Sequence, residues 1–129
     1  MLAVVDAAPD LAREQILLSA SRQFKEGDVQ HWWHPPQGRG VRTRCSDDML
    51  WIAFTTSRYV SHTHDFAILN ELVPFLEGRE LNADQESNYD LPVETDQESD
   101  TLRTLQTGNK SFYSLRFTWS SLHGVRRLE

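Results

Sequence analysis

The sequence predicts a mainly α-helical protein, and three observations carry that prediction. Leu11, Ile16, Leu17, Ala20 and Phe24 recur at helical spacing, a second apolar run follows the capping signal Ser46-Asp47-Asp48, and no strand-like alternation precedes the acidic stretch that begins at Asn82. The first helix opens at Ala7-Ala8-Pro9-Asp10, where a proline costs no hydrogen bond and an acid meets the positive end of the helix dipole. Its apolar stripe faces inward, and Lys25-Glu26-Gly27 closes it, since glycine accepts the left-handed backbone of a helix end. The run from Trp32 to Gly40 has no period, and its prolines and glycines predict an ordered loop. Ser46 with Asp47 and Asp48 then supplies the cap and first turn of a second helix, which continues through Met49, Leu50, Ile52, Ala53 and Tyr59 to about Val60. A third, short helix is predicted from Phe66 to Phe75, with Pro74 near its end. From Asn82 to Asp100 there are seven acids and no base, with Pro92 inside, a composition that predicts a solvated loop.

At 129 residues the chain has the length of one domain. Its 39% hydrophobic and 25% charged residues are those of a soluble protein, and no apolar run approaches the ~20 residues of a membrane span. Neither an anchor nor a signal peptide is expected. The single cysteine, Cys45, leaves no internal disulfide and fits a reducing compartment, so a cytoplasmic location is expected. The net charge of −6 argues against general nucleic-acid binding, which rests on phosphate neutralisation. That charge is unevenly spread. Residues 1–101 hold 8 Lys and Arg against 18 Asp and Glu, a net −10, whereas residues 102–129 hold 5 against 1, a net +4.

The chemistry is concentrated between Gln30 and Trp51. That stretch gathers tryptophans at 32, 33 and 51, histidines at 31 and 34, Arg39, Arg42 and Arg44, and the adjacent Asp47 and Asp48. Planar rings beside bidentate donors and carboxylates suit a polyhydroxylated ring, which stacks by its apolar face and takes charge-assisted hydrogen bonds at its hydroxyls. A carbohydrate site is therefore expected here. Asp48 can accept from two hydroxyls and Arg42 can donate to two, with Arg44 an alternative to Arg42, and Asp47 and Asp48 interchangeable as helix cap and sugar ligand. Of Trp32 and Trp33, one is expected to stack on sugar and the other to be buried. Arg39 stands between two glycines that let backbone approach an anion, and so resembles a phosphate contact. His31, His34, His62 and His64 lack zinc-site spacing, so no metal is expected. Cys45 has no base beside it in sequence to make it a nucleophile.

A family likeness rests on Glu26-Gly27-Asp28-Val29-Gln30-His31-Trp32-Trp33-His34-Pro35-Pro36, Gly38-Arg39-Gly40-Val41-Arg42-Thr43-Arg44, Ser46-Asp47-Asp48 and Leu50-Trp51. Further matches stand at Val73-Pro74-Phe75-Leu76-Glu77-Gly78 and around Tyr89 to Pro92. These residues resemble the inverting glycoside phosphorylases, which include cellobiose and chitobiose phosphorylases, and most of all the phosphorylase-like C-terminal region of cyclic β-1,2-glucan synthases. The resemblance covers roughly Ala8 to Leu102, a small part of a much longer catalytic domain. It implies a fragment of an (α/α)6 barrel, with the loop at one barrel end, and places Arg42 and Asp48 on hydroxyls of the sugar that is attacked. It also implies a β-linked glucan or oligosaccharide as partner, inorganic phosphate as co-substrate and no further cofactor.

After Thr101-Leu102 the likeness stops. The family continues with a helix beginning Tyr-Glu-His-Cys and later with a His-Gly-Leu-Pro motif that ends in the catalytic acid. Back-translation of residues 102–106 and 116–129, read from the second base, yields Tyr-Glu-His-Cys and then Gly-Ser-His-Gly-Leu-Pro-Phe-Met-Gly-Ser-Gly-Asp-Trp. Some matches are forced, since Trp119 has one codon and must give glycine in the shifted frame. The expected organisation is therefore a partial phosphorylase domain at 1–102 and a frame-shifted, non-native tail at 103–129.

On this reading the chain is a fragment of a carbohydrate-active glycosyltransferase or phosphorylase acting on β-linked glucans. It keeps the sugar and phosphate loop but lacks the acid that would protonate the leaving oxygen, and is expected to be inactive alone. The alternative is a small non-catalytic carbohydrate-binding or interaction protein. The gene separates them, because codons for the family's later motifs downstream in the shifted frame belong only to the first.

Overall fold

The computed structural model describes residues 2–101 and 103. They form α1 (Leu2–Ala7), α2 (Pro9–Ala20), β1 (Val29–His34), β2 (Arg39–Thr43), α3 (Ser46–Thr63), a 3-10 helix (Phe66–Asn70), β3 (Leu72–Glu77), β4 (Ser87–Asp90) and β5 (Val93–Asp100). The expectation of a mainly α chain, and of a piece of an (α/α)6 barrel, is overturned: two antiparallel sheets, ordered β1-β2-β4 and β3-β5, share the described residues with three α-helices. Of the tail expected at 103–129 only Arg103 is described, so that expectation lies outside the described residues.

Pro9 and Asp10 start α2 as predicted, but the helix ends at Ala20 rather than near Phe24. The residues that follow find other backbone partners. Gln30 N–H donates to the Arg22 carbonyl at 2.9 Å, Leu76 N–H to the Gln23 carbonyl at 2.8 Å, and Phe24 N–H to the Asp28 carbonyl at 2.8 Å. These bonds replace continued helix and lash β1 and β3 to the end of α2. The inward stripe of α2 is Ala12, Ile16 and Ala20, one residue every helical turn, and Leu11 is left 60% exposed. Ile16 and Ala12 meet Val5 of α1, Tyr59 of α3 and Ile68 of the 3-10 helix in a buried cluster. Arg13 locks the same region from outside. Its Nε lies 3.0 Å from Asp65, and it also pairs with Glu71. Asp65 accepts from the Tyr59 hydroxyl at 2.9 Å and caps the 3-10 helix through Ala67 N–H at 3.1 Å.

The Trp32-to-Gly40 run is a β-hairpin, not a loop. β1 and β2 pair in register Val29↔Thr43, Gln30↔Arg42, Trp32↔Val41, Trp33↔Gly40 and His34↔Arg39, with a bulge between Gln30 and Trp32. Pro35 to Gly38 make the turn, which Gly38 allows by a φ of +79°. Gly40 is required by space, because a Cβ there would run into the Trp32 carbonyl and Gln30 Nε2. α3 follows close to its predicted start, with Cys45 rather than Ser46 before the first turn. The third predicted helix is half right, since the 3-10 turn gives way at Leu72 to β3, where Pro74 sits beside a bulge. The acidic stretch also forms strands. β4 pairs with β2 (Val41↔Tyr89) and β5 with β3 (Leu72↔Asp100, Glu77↔Val93), and the charges of β5 leave its side chains mostly exposed on an outer strand.

Candidate functional site

A cleft of about 310 Å³ opens where α2, β1 and α3 meet. Strand alternation builds one wall by turning Trp33 into the cleft and Trp32 to the opposite face of the sheet. Trp33 is joined by Gln30 and His31 of β1, by Gln15 and Ser19 of α2, and by Asp48, Trp51 and Thr55 of α3. Asp48 lies in the first turn of α3 with its side chain 19% exposed, and its Oδ2 accepts from His31 Nδ1 at 2.7 Å. A neutral His31 then carries its proton on Nδ1 and leaves Nε2 as an acceptor.

Arg22 completes this wall. Its guanidinium lies 5.4 Å from the Trp33 ring centroid and 3.5 Å from Glu94, yet its buried Nε has no hydrogen-bond partner among the described residues. Gln30, 4% exposed, donates from Nε2 to the Gly38 carbonyl at 2.7 Å, and its Oε1 likewise has no partner among the described residues. Leaving a buried polar group unpaired costs about 1–3 kcal/mol, so these two atoms are unused hydrogen-bonding capacity in the layer behind Trp33.

The arginines singled out by sequence sit elsewhere. Arg42 is 3% exposed, and its guanidinium is fully engaged. Nε lies 2.9 Å from Asp28, Nη2 3.0 Å from Glu26, and Nη1 donates to the carbonyls of Gly78 and Arg79 at 3.3 and 3.2 Å, all above the Phe24 ring at 4.1 Å. Arg44 donates to the carbonyls of Leu81 and Asn82 at 2.7 and 3.2 Å. Both therefore pin the hairpin to the segment after β3, and neither lines the cleft that holds Asp48. Arg39 is exposed on the other face of the sheet, 5.8 Å from the Tyr89 ring and 4.0 Å from Asp90.

Asp47 is spent locally. Its Oδ1 accepts from the Cys45 thiol at 2.8 Å, which pushes the thiol up from its usual range and holds the carboxyl below its own. Among the described residues, Cys45, Asp47 and Asp48 are the one set whose atoms converge closely enough, within 4.8 Å, to hold a metal. They stand at the positive end of α3, where the helix dipole disfavours a cation. Sequence reasoning missed Arg22, Gln30 and the cleft role of His31. The missing signal was strand alternation in β1, which is visible only once Trp32 to Gly40 is taken as a hairpin.

Residues 1–85, more than half of the chain and all of this cleft, match the catalytic domain of the glycosyl hydrolase 94 superfamily. The chain belongs to that superfamily. Within it, the sequence is 46% identical over 99 residues to the cyclic beta-(1,2)-glucan synthase NdvB of Rhizobium meliloti, covering 77% of this chain and 4% of that protein. It is 36% identical over 69 residues to the solabiose phosphorylase of Paenibacillus borealis, covering 54% of this chain and 8% of that enzyme. The N,N'-diacetylchitobiose phosphorylase of Vibrio furnissii is 38% identical over 39 residues, 30% of this chain and 5% of the enzyme. The glycosyl hydrolase 94 chain thus spans less than a tenth of the length of each of these relatives. The resemblance to glycoside phosphorylases and cyclic β-1,2-glucan synthases holds. Among the described residues no helix is long and apolar enough to cross a membrane.

Proposed function

We propose that this chain carries the sugar-binding part of a glycosyl-transfer or phosphorolysis centre for β-linked glucans, in the cytoplasm, and binds sugar without turning it over. The cleft carries this reading: an aromatic wall at Trp33 and the Asp48–His31 pair stand together in a family whose relatives are named for glucan synthesis and phosphorolysis. Trp33 would take the apolar face of a glucose ring and Asp48 two of its hydroxyls.

Two features support binding without chemistry. Inverting phosphorolysis needs a carboxylic acid that keeps its proton until the leaving oxygen takes it, whereas Asp47 is held below the usual carboxylate range by the Cys45 thiol. Phosphate must also reach the anomeric carbon. Arg39, the proposed phosphate contact, lies across the sheet from Trp33, so sugar in the cleft and phosphate at Arg39 would not meet within this chain.

The test is calorimetric titration of the whole chain with glucose and linear β-1,2-gluco-oligosaccharides, beside an assay for glucose 1-phosphate. Binding that Asp48→Ala weakens by roughly ten- to a hundredfold, as loss of a charge-assisted bond should, with no glucose 1-phosphate formed, is the expected result. Unchanged affinity in Asp48→Ala removes the cleft from the function. Phosphorolysis abolished by Asp47→Asn or Asp48→Asn would place an acid inside this chain and sink the claim of inactivity.

A further inference from the structure

We propose that the outer face of the β1-β2-β4 sheet is a second carbohydrate-contact surface, where Trp32 and Tyr89 form a stacking platform for a glucan residue beyond the one seated in the cleft. The inference rests on the reading of the cleft as a sugar site. Register makes the platform. Trp32 pairs with Val41 and Val41 with Tyr89, so the two rings stand on one face, on either side of a short central side chain. Their centroids are 5.6 Å apart and their planes are inclined by 35°, so the two rings lean on each other and form one aromatic pair on that face. Trp32 is 43% exposed and Tyr89 50%. Two half-exposed aromatic side chains in contact make a surface that the apolar C–H face of a sugar ring can cover.

The rim favours carbohydrate over an apolar partner. The His34 ring stands edge-on to Trp32 at 5.0 Å, Arg39 lies 5.8 Å from Tyr89, and Asp90 is 4.0 Å from Arg39. Donors and an acceptor thus surround the aromatic pair, so that a sugar can set its C–H groups against a ring and its hydroxyls against polar partners. Position links the platform to the cleft. Trp32 and Trp33 are consecutive on β1, an outer strand of the sheet, so the platform and the cleft lie on the two faces of one strand. Glucose alone occupies the cleft; a longer glucan also covers the platform.

The experiment compares glucose with linear β-1,2-gluco-oligosaccharides on the whole 129-residue chain, by calorimetry and by the indole Nε1–H resonances of Trp32, Trp33 and Trp51. Trp32→Ala and Tyr89→Ala should each weaken oligosaccharide binding by roughly three- to tenfold, the scale of one aromatic contact, with the loss confined to the oligosaccharide. Only the oligosaccharide should move the Trp32 resonance. Both side chains are half exposed, and circular dichroism checks that the variants fold. Oligosaccharide affinity unchanged in both variants while Asp48→Ala weakens it overturns the platform and leaves the cleft standing. The reverse pattern keeps the platform and removes the cleft. No binding of either sugar to the wild-type chain overturns both.

Discussion

Replacing Arg42 with alanine should cost about 3–5 kcal/mol of folding stability, the range for removing one partner of a buried ion pair. The magnitude follows from what the guanidinium holds. Asp28 is the costly partner, because its side chain is 13% exposed and would be left charged with little water to replace the arginine. Glu26, at 39%, can turn to solvent, so that pair adds between nothing and about 1 kcal/mol. The Gly78 and Arg79 carbonyls lose a charged donor, and the Phe24 ring loses a cation at 4.1 Å, an interaction of about 1–2 kcal/mol when desolvated. These contributions overlap, so the total stays near the buried-pair range. Urea unfolding followed by tryptophan fluorescence reads the change, against a total stability of about 5–15 kcal/mol for a domain. Adding Asp28→Asn to Arg42→Ala should recover part of the loss, since the stranded charge is then gone. A loss below about 1 kcal/mol in the single variant, with sugar affinity reduced, would refute the reasoning and return Arg42 to the role of sugar ligand.

Gly40→Ala should destabilise the hairpin by about 1–3 kcal/mol or more, because the new methyl meets the Trp32 backbone rather than a side chain that can swing away, and hydrogen exchange across β1 and β2 measures it. The Asp65 carboxyl, held below the 3.8 of a free aspartate first by the Tyr59 hydroxyl and then by Arg13, contributes stability that is complete above the unfolded value and lost as pH falls through the lower folded one. Acid unfolding should therefore be shallower between those two values in Asp65→Asn, and an identical acid limb would show that the contact is not made. Cys45, although exposed, should alkylate slowly because Asp47 holds its thiol up, and Asp47→Asn should raise the rate at neutral pH; equal rates would dismiss the Sγ–Oδ1 contact.

The parts of the fold legible in sequence are those fixed by neighbours a few residues away. Pro9-Asp10 and Ser46-Asp47-Asp48 mark helix starts because capping and dipole effects act within one turn, and α2 and α3 begin close to where those signals stand. β3 and β5 owe their existence to a pairing between Leu72 and Asp100, and no local pattern in an acidic run announces a partner so distant. The stripe of α2 was misplaced for a related reason. Phe24 belongs at helical spacing, but its backbone is taken by Asp28 and Leu76 and its ring by Arg42. In the site, composition pointed to a sugar, and Asp48 does line the cleft. It could not distinguish an arginine with free donors from Arg42, whose partners Glu26 and Asp28 lie in what reads as a helix end. Splitting Trp32 from Trp33 needed only the alternation of a strand.

The backbone bonds that join residues 22–24 to β1 and β3 also set the order in which the molecule can assemble. The β1–β2 hairpin closes on itself across a short turn. The contacts of Gln23 and Phe24 with Leu76 instead close a long loop, whose entropy must be met before the contact is gained. Arg22, one wall of the cleft, lies at the hinge of that closure. Every residue that lines the cleft lies between Gln15 and Thr55, so a chain whose β3 has come away still carries both cleft walls and loses only the clamp behind Arg22.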